Sequence, residues 1–199
     1  LYYNEDLFKR EGLVDERGQA RPPRTWTELK ECAVRLTKRD ADGRLVQLGF
    51  IPNFGNAWLY LYGWQNGGQF MSADGRRCTL DDPRIVEALE FVTEVYDALG
   101  GAQQVEAFQT TFQTGELDPL LTGKIGMEVN TNEMVGEIAQ YRPEMHFGVA
   151  PAPVPEGKPF ITWSGGFSWA IPRGAKHVQE AWRFIRFMTS VEGALIEAE

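Results

Sequence analysis

The chain has 199 residues, of which 43% are hydrophobic and 24% are charged, and this composition is typical of a globular protein. The formal net charge is -8 and no run of Lys or Arg occurs, so neither a phosphate-tracking surface nor a nucleic-acid partner is expected. No apolar stretch approaches the ~20 residues that a membrane span needs. The chain opens with "LYYNED" and stops at "IEAE", inside a helical pattern, so we expect it to be part of a longer chain.

Helical and strand-like patterns alternate in the first half, which favours an α/β fold. The stretch "TWTELKECAVRL" predicts a helix that Thr25 caps, with Glu28 completing a capping box. "RLVQLGFI" predicts a buried strand, and the aromatic stretch "WLYLYG" predicts a helix that ends near Gly63. No repeat and no linker interrupts the pattern, so residues 1–199 are predicted to form a single domain.

The clearest helix is predicted in "DDPRIVEALEFVTEVYDAL", where Asp82 can cap the first turn and Pro83 suits the first helical position. Its apolar side chains recur at helical spacing, so one face of the helix is predicted to be buried. That face comprises Ile85, Leu89, Val92, Tyr96 and Leu99.

The second half of the chain continues the alternation of strands and helices. "KIGMEV" predicts a strand whose Ile125, Met127 and Val129 point inward, and "TNEMVGEIAQY" predicts the helix after it. "HFGVAPAPV" and "SWAIP" predict two more strands. "HVQEAWRFIRFM" predicts a final helix with a buried face, which comprises Val178, Ala181, Trp182, Ile185 and Met188.

Two cysteines leave the redox state open. Cys32 lies at the border of the apolar face of the helix that Thr25 caps, and Cys78 lies in the turn-rich stretch "SADGRRCTLDD". Nothing in their spacing requires a disulfide. Two free thiols and a Cys32–Cys78 bond therefore both remain as alternatives.

No arrangement of residues predicts an active site. His146 falls on a predicted strand and His177 at a helix start, and neither position suggests a catalytic triad or a metal site. A nucleophile elbow, a phosphate loop and a C-x-x-C pair are absent from the sequence. Asp118, Glu128 and Glu133 could supply the paired carboxylates of a glycoside hydrolase, but each is interpreted as an ordinary surface residue. No catalytic residue, metal ion or cofactor is therefore predicted.

Aromatic residues beside amides, hydroxyls or glycines are the most informative feature. Sugar rings pack their C–H face on aromatic rings, and sugar hydroxyls need donors and acceptors from amides and backbone. Pockets with aromatic walls and a few polar groups are typical of small-molecule sites. The aromatic residues in such a setting are Phe54, Trp58, Trp64 and Trp163, whereas Trp26, Trp169 and Trp182 are interpreted as core residues.

Six stretches, in the expected order, carry a family resemblance. They are "LYYNEDLFKREGL", "PPRTWTELKECAVRLT", "DPLLTGKIGMEVN", "YRPEMHFGVAPAPVPEG", "WSGGFSWAIPRGAK" and "EAWRFIRFMTS". From residue 1 to about 190, the chain resembles the extracellular solute-binding proteins of carbohydrate-type ABC importers. The resemblance implies one lobe of a type II periplasmic-binding-protein fold, an α/β lobe whose mixed sheet is flanked by helices.

The resemblance also implies a two-lobed parent that closes on a ligand, with this chain as most of the C-terminal lobe and the N-terminal lobe as its partner. Such a parent is periplasmic or tethered outside the membrane. It delivers a small polar solute, a sugar or oligosaccharide above all, to the permease of an ABC transporter. The implied function is therefore binding and transport, without catalysis.

Three regions that match family motifs are implied to face the ligand. These are the cleft-facing turn "WSGG", the aromatic region "NFGNAWLYLYGWQN" and the residues after the "GKIGM" strand. The turn would offer an aromatic face for stacking and glycine backbone for hydrogen bonds. The implied ligand-binding residues are Phe54, Trp58, Trp64, Asn130, Asn132, Glu133, Trp163, Ser164, Gly165 and Gly166.

The sequence departs from the family pattern after the "GKIGM" strand. Many relatives have Gly-x-Trp there, where this chain has Thr131, Asn132 and Glu133. The carboxylate of Glu133 would suit an amine-bearing ligand, so a polyamine, a glycerol phosphodiester or another polar solute is the alternative on the same scaffold. A glycoside-processing enzyme fragment and a surface for binding another protein are alternatives from other classes.

Overall fold

The structure is a computed structural model, which describes residues 1–165 and 168–198. The chain divides into two compact units, Leu1–Thr162 and Trp163–Glu199. The single domain predicted for residues 1–199 stays a prediction. Among the described residues, no helix is both long and apolar enough to cross a membrane.

The first unit contains five short strands and six helices, with one additional 3-10 turn. In chain order they are β1 (Tyr2–Asn4), α1 (Glu5–Arg10), α2 (Trp26–Leu36), β2 (Lys38–Arg39), β3 (Leu45–Gln47), α3 (Leu59–Gln65), α4 (Pro83–Ala98), α5 (Ala102–Gln109), the 3-10 turn (Gly115–Leu117), β4 (Met127–Glu128), α6 (Glu133–Tyr141) and β5 (Phe147–Val149).

The main sheet has the order β4–β1–β5, and β1 runs antiparallel to both neighbours. A short parallel contact extends it on the β4 side. The N–H of Leu48 donates to the carbonyl of Lys124 at 2.9 Å, and the carbonyl of Leu48 accepts the N–H of Gly126 at 2.8 Å. The predicted mixed sheet flanked by helices is therefore confirmed, although the stretch "RLVQLGFI" is divided. Its first half forms β3, which pairs with β2, and its second half is the buried segment 48–51.

Helix α2 begins as the sequence predicts. The side chain of Thr25 accepts a hydrogen bond from the N–H of Glu28 at 3.2 Å. The Glu28 carboxylate accepts the N–H of Arg24 at 2.7 Å, so it closes the helix start one residue earlier than an ordinary capping box. Gly49, after β3, lies against the C-terminal half of this helix, where a Cβ on Gly49 would be 2.2 Å from the carbonyl oxygen of Ala33. Only glycine therefore allows the chain to pass this close to α2.

Helix α4 also begins as predicted, because Asp82 accepts the N–H of Arg84 at 2.9 Å and Pro83 is the first residue. The predicted buried face is wrong in part, since Leu89 is 50% exposed. Phe91 takes its place and stacks on Trp26, with ring centroids 4.4 Å apart and an interplanar angle of 12°. Two overlapping apolar stripes run along this helix, and contacts of Phe91 with Trp26 of α2 and Tyr62 of α3 select one. The buried residues are Ile85, Ala88, Phe91, Val95 and Leu99.

The strand β4 is buried on both faces. It was predicted to turn one face inward, yet Met127 and Glu128 are 0% and 2% exposed. Met127 fills one face, and on the opposite face Gly126 lies so close to Leu36 that a Cβ would be 3.1 Å from that side chain. Glu128 lies on the same face as Gly126 and meets the chain at Gly55. Alternation of apolar and polar residues fails here because both faces of the strand are covered.

The second unit contains helices α7 (Val178–Met188) and α8 (Val191–Ala198). No residue of α7 is buried, so its predicted buried face is wrong, and Trp182 is 52% exposed. Trp169, interpreted as a core residue, is likewise 57% exposed and packs edge-on against Phe184, with ring centroids 5.3 Å apart. A unit this small has too few residues to enclose an apolar helix face. The stretch "SWAIP" forms no strand.

Both cysteines are free thiols, so the Cys32–Cys78 disulfide is not formed. Cys32 is buried on α2, and burial raises the pKa of its thiol to about 11. Cys78 is exposed.

Candidate functional site

A hydrogen-bonded network of polar side chains lies where the chain leaves β4. The Nδ2 of Asn130 donates to Oε1 of Glu128 at 2.6 Å. The Oδ1 of Asn130 accepts from Nδ2 of Asn56 at 3.1 Å and from the N–H of Thr131 at 2.8 Å. Asn130 therefore links the buried end of β4 to the loop of residues 52–57, and we call these contacts the Glu128–Asn130–Asn56 network.

Backbone contacts hold the same loop against β4. Asn56 donates its N–H to the carbonyl of Val129 at 2.7 Å. Gly55 has φ of 61°, and a Cβ there would lie 2.4 Å from the Val129 carbonyl oxygen and 2.7 Å from Oε1 of Glu128. From the central strand, the hydroxyl of Tyr2 donates to the carbonyl of Thr131 at 2.8 Å. Side-chain and backbone hydrogen bonds thus fix the loop of residues 52–57 beside residues 129–131, which follow β4.

Glu128 and Asp118 are buried, so their interpretation as surface residues is wrong. Burial and the negative charge of Asp118 raise the pKa of Glu128 to about 8, against the opposing effect of its hydrogen bond from Asn130. The Oε2 atom of Glu128 has no hydrogen-bond partner among the described residues. Burial also raises the pKa of Asp118, although this carboxyl accepts the N–H groups of Leu120 and Leu121 at 2.8 and 3.4 Å.

Three of the residues implied to bind ligand lie together after β4. Asn130 is part of the network, with Oδ1 already accepting two hydrogen bonds. Asn132 occupies the cap position of α6, but its side chain makes no capping hydrogen bond and is exposed. Glu133 is exposed as well, and its Oε2 lies 3.4 Å from Oγ1 of Thr131. Asn132 and Glu133 therefore present polar atoms to solvent beside the network.

The aromatic residues implied to bind ligand have different surroundings. Phe54 packs against the core and contacts Phe112 edge-on, with ring centroids 5.4 Å apart. Trp58 follows the network loop, occupies the N-cap position of α3 without a side-chain capping hydrogen bond, and is 44% exposed. Trp64 is half-buried on α3, where its ring lies 5.1 Å from that of Tyr60. Of these aromatic rings, Trp58 offers the most open face to a ligand.

The remaining implied residues belong to the second unit, and their role in binding stays a prediction. Trp163 is half-buried, and Ser164 and Gly165 are exposed. The indole of Trp163 folds back over Gly165, where a Cβ would lie 2.6 Å from the ring. Gly166 lies outside the described residues.

Sequence reasoning missed the contact between Asn56 and Asn130, the role of Tyr2 and the burial of Glu128. Asn56 and Asn130 are 74 residues apart, and no local pattern connects them. Tyr2 reaches Thr131 only because β1 lies beside β4 in the sheet. Glu128 follows an apolar residue in a short strand, a setting that is usual for solvent-facing positions of a half-buried sheet. Among the described residues, no group of three or more His, Cys, Asp or Glu side chains could hold a metal ion.

The matching family model is described as a bacterial extracellular solute-binding protein, and it covers residues 1–195. The chain belongs to this family. The resemblance stated from the sequence motifs is therefore confirmed, together with the α/β lobe that it implies.

Relatives of this family member include proteins with named sugar ligands. The structure of CpMnBP1 with mannobiose bound matches with a TM-score of 0.80 and 28% identity, covering 96% of this chain and 48% of that protein. The maltooligosaccharide ABC transporter solute-binding lipoprotein of Streptococcus pneumoniae is 23% identical over 205 residues, which is 96% of this chain and 43% of that protein. The sn-glycerol-3-phosphate-binding periplasmic protein UgpB of Agrobacterium fabrum is 27% identical over 173 residues, which is 84% of this chain and 37% of that protein. The chain thus spans less than half the length of these proteins.

Proposed function

We propose that this chain is the C-terminal lobe of a two-lobed carrier, which binds a sugar or oligosaccharide between its lobes and delivers it to the permease of an ABC importer. The observation that carries the proposal is the likeness, over 96% of the chain, to a protein with mannobiose bound. The family itself is extracellular by description, so the carrier acts outside the cytoplasmic membrane. The relatives named above are binding proteins, and we propose binding without catalysis for this one.

The geometry at the end of β4 supports a ligand with hydroxyl groups. Trp58 provides an exposed aromatic face, and sugar C–H faces pack on such rings. Asn132 and Glu133 provide exposed amide and carboxylate groups that can accept hydrogen bonds from hydroxyls. We propose that this part of the first unit contacts the ligand. The role of Trp163, Ser164 and Gly165 in binding stays a prediction.

One alternative ligand on the same scaffold is a glycerol phosphate, because a relative is named for binding sn-glycerol-3-phosphate. The exposed acidic side chain beside the network is Glu133. A phosphate would be repelled by it, whereas a neutral sugar would not. A polyamine would be attracted to Glu133, so its affinity should fall in Glu133→Gln while that of a neutral sugar should hardly change.

The test is titration calorimetry of the two-lobed protein with mannobiose, sn-glycerol-3-phosphate and putrescine. We expect mannobiose to bind and the other two to give no heat beyond dilution. Trp58→Phe keeps an aromatic face and should retain affinity, whereas Trp58→Leu should lose about 1 kcal/mol of binding free energy through the lost aromatic packing. Equal affinities of the two variants would show that the ring of Trp58 does not contact the ligand. Binding of sn-glycerol-3-phosphate but not mannobiose would replace the proposed ligand class.

A further inference from the structure

Glu128 has features that contact with a ligand does not explain. It is 2% exposed, so no ligand can reach it directly. One carboxyl oxygen accepts a hydrogen bond from Asn130 at 2.6 Å, and the other, Oε2, has no partner among the described residues. A buried ionised carboxylate with an unpaired oxygen is costly, but a neutral carboxylic acid is much less so.

The Glu128–Asn130–Asn56 network links the protonation of Glu128 to the position of the loop of residues 52–57. Asn130 is held by Glu128 and in turn accepts a hydrogen bond from Asn56. The loop backbone also passes directly over this carboxyl, since a Cβ on Gly55 would lie 2.7 Å from its Oε1. A shift of the Glu128 side chain by a fraction of an ångström therefore changes both contacts. Trp58 follows this loop directly, at the N-cap position of α3.

We propose that Glu128 is the positioning residue for residues 53–58: as a neutral acid it stays buried beneath Gly55 and holds Asn130, and thereby Asn56, against β4. On losing its proton it becomes a buried charge, which is unfavourable in this position even with the hydrogen bond from Asn130, so the loop is released and ligand binding weakens. This inference rests on the proposed function, because it assigns ligand contact to Trp58 at the end of the loop.

The charges that face Glu128 favour its neutral form. Asp118, from the segment before β4, and Glu137, from α6, both raise the pKa of Glu128. Across the sheet its neighbour is Tyr2, whose own pKa is raised by burial and which carries no charge near neutral pH. Against these, Asn130 alone lowers the pKa through its hydrogen bond. The pKa of Glu128 is about 8 with the loop closed, against 4.5 for an exposed glutamate, so the closed loop is most stable below about pH 4.5. Its stability falls as the pH rises from there and reaches its lowest level above about pH 8.

The first test needs no ligand and uses the 199-residue chain. Hydrogen exchange of the Asn56 amide, which is bonded to the Val129 carbonyl, is followed by NMR between about pH 6 and pH 9 and corrected for the intrinsic rate. Its protection should fall roughly tenfold per pH unit up to about pH 8 and level off above it in the wild type, and it should stay constant in Glu128→Gln. Glu144→Gln, at an exposed acid outside the network, is the control and should behave as the wild type.

A second variant separates positioning from a merely structural role. Asp118→Asn keeps an oxygen that can accept the N–H of Leu120 but removes the negative charge beside Glu128. The midpoint of loop release should then move to lower pH. An unchanged midpoint, or a wild-type Asn56 amide whose protection does not depend on pH, would overturn the proposal. Because this variant retains Glu128, the test stands even if Glu128→Gln does not fold.

The ligand arm is a mannobiose titration of the two-lobed protein at about pH 6.5 and pH 9, on either side of the pKa of Glu128. The affinity of the wild type should fall roughly tenfold at the higher pH, and that of Glu128→Gln should not. Loop release without any change in mannobiose affinity would overturn the link to binding. No mannobiose binding at either pH, with loop release intact, would contradict the proposed function and leave the positioning role of Glu128 supported.

Discussion

Gly55 provides the sharpest test of how closely the loop of residues 52–57 lies on β4. Replacing it by Ala has two costs. Its φ of 61° is left-handed, which costs a non-glycine residue about 1–2 kcal/mol. The new Cβ would also lie 2.4 Å from the Val129 carbonyl oxygen, and overpacking of this kind typically costs about 1–3 kcal/mol. Together these give an expected loss of about 2–5 kcal/mol in the free energy of unfolding.

Gly75 is the matched control. Its φ is 67°, close to that of Gly55, but a Cβ there would meet no atom within 4 Å. Gly75→Ala should therefore show only the backbone cost of about 1–2 kcal/mol. Urea unfolding of both variants, with unchanged m-values, gives the loss in the free energy of unfolding for each. The loss in Gly55→Ala minus that in Gly75→Ala is the packing cost, about 1–3 kcal/mol. Equal losses in the two variants, with the Asn56 amide still protected from exchange, would refute the close contact of loop and strand.

Two further predictions concern the core and the thiols. Phe91→Ala should cost about 3–5 kcal/mol in urea unfolding because it removes a ring stacked on Trp26, while Leu89→Ala, at a half-exposed position, should cost far less. The reverse order would place the buried face of α4 where the sequence pattern had put it. Titration with a disulfide reagent at neutral pH should modify Cys78 rapidly and Cys32 only on unfolding, since Cys32 is buried and its pKa is raised to about 11. Two thiols reacting at the same rate, or no reaction, would contradict this arrangement.

Local features were predictable from the sequence because they depend on neighbouring residues. The caps of Thr25 and Asp82 follow from a side-chain oxygen placed two or three residues before the N–H that it accepts. The helix ending near Gly63 was placed within two residues, since α3 ends at Gln65. The family resemblance rests likewise on short stretches in a fixed order, and the match over residues 1–195 confirms it.

Part of the candidate site was also predictable. The "KIGMEV" strand and the polar residues after it placed Asn130, Asn132 and Glu133 at one strand end, and the structure puts them there. The exposed ring of Trp58 agrees with its interpretation as more than a core residue. Whether these residues contact a ligand stays a prediction until the binding variants are measured.

Tertiary contacts decided the rest, because burial is set by what packs on a residue from far along the chain. Glu128 has the sequence context of a surface position, yet the loop at Gly55 covers it and its carboxyl becomes a buried, weakly acidic group. Phe91 displaced Leu89 from the buried face of α4 because Trp26 of α2 lies against it. Asn56 and Asn130 come together only in the folded structure, because a hydrogen bond between residues 74 positions apart produces no periodic pattern in the sequence. The sequence by itself therefore determined helices α2, α3, α4, α6 and α7, the caps at Thr25 and Asp82, and the family. Packing determined which polar groups lie inside.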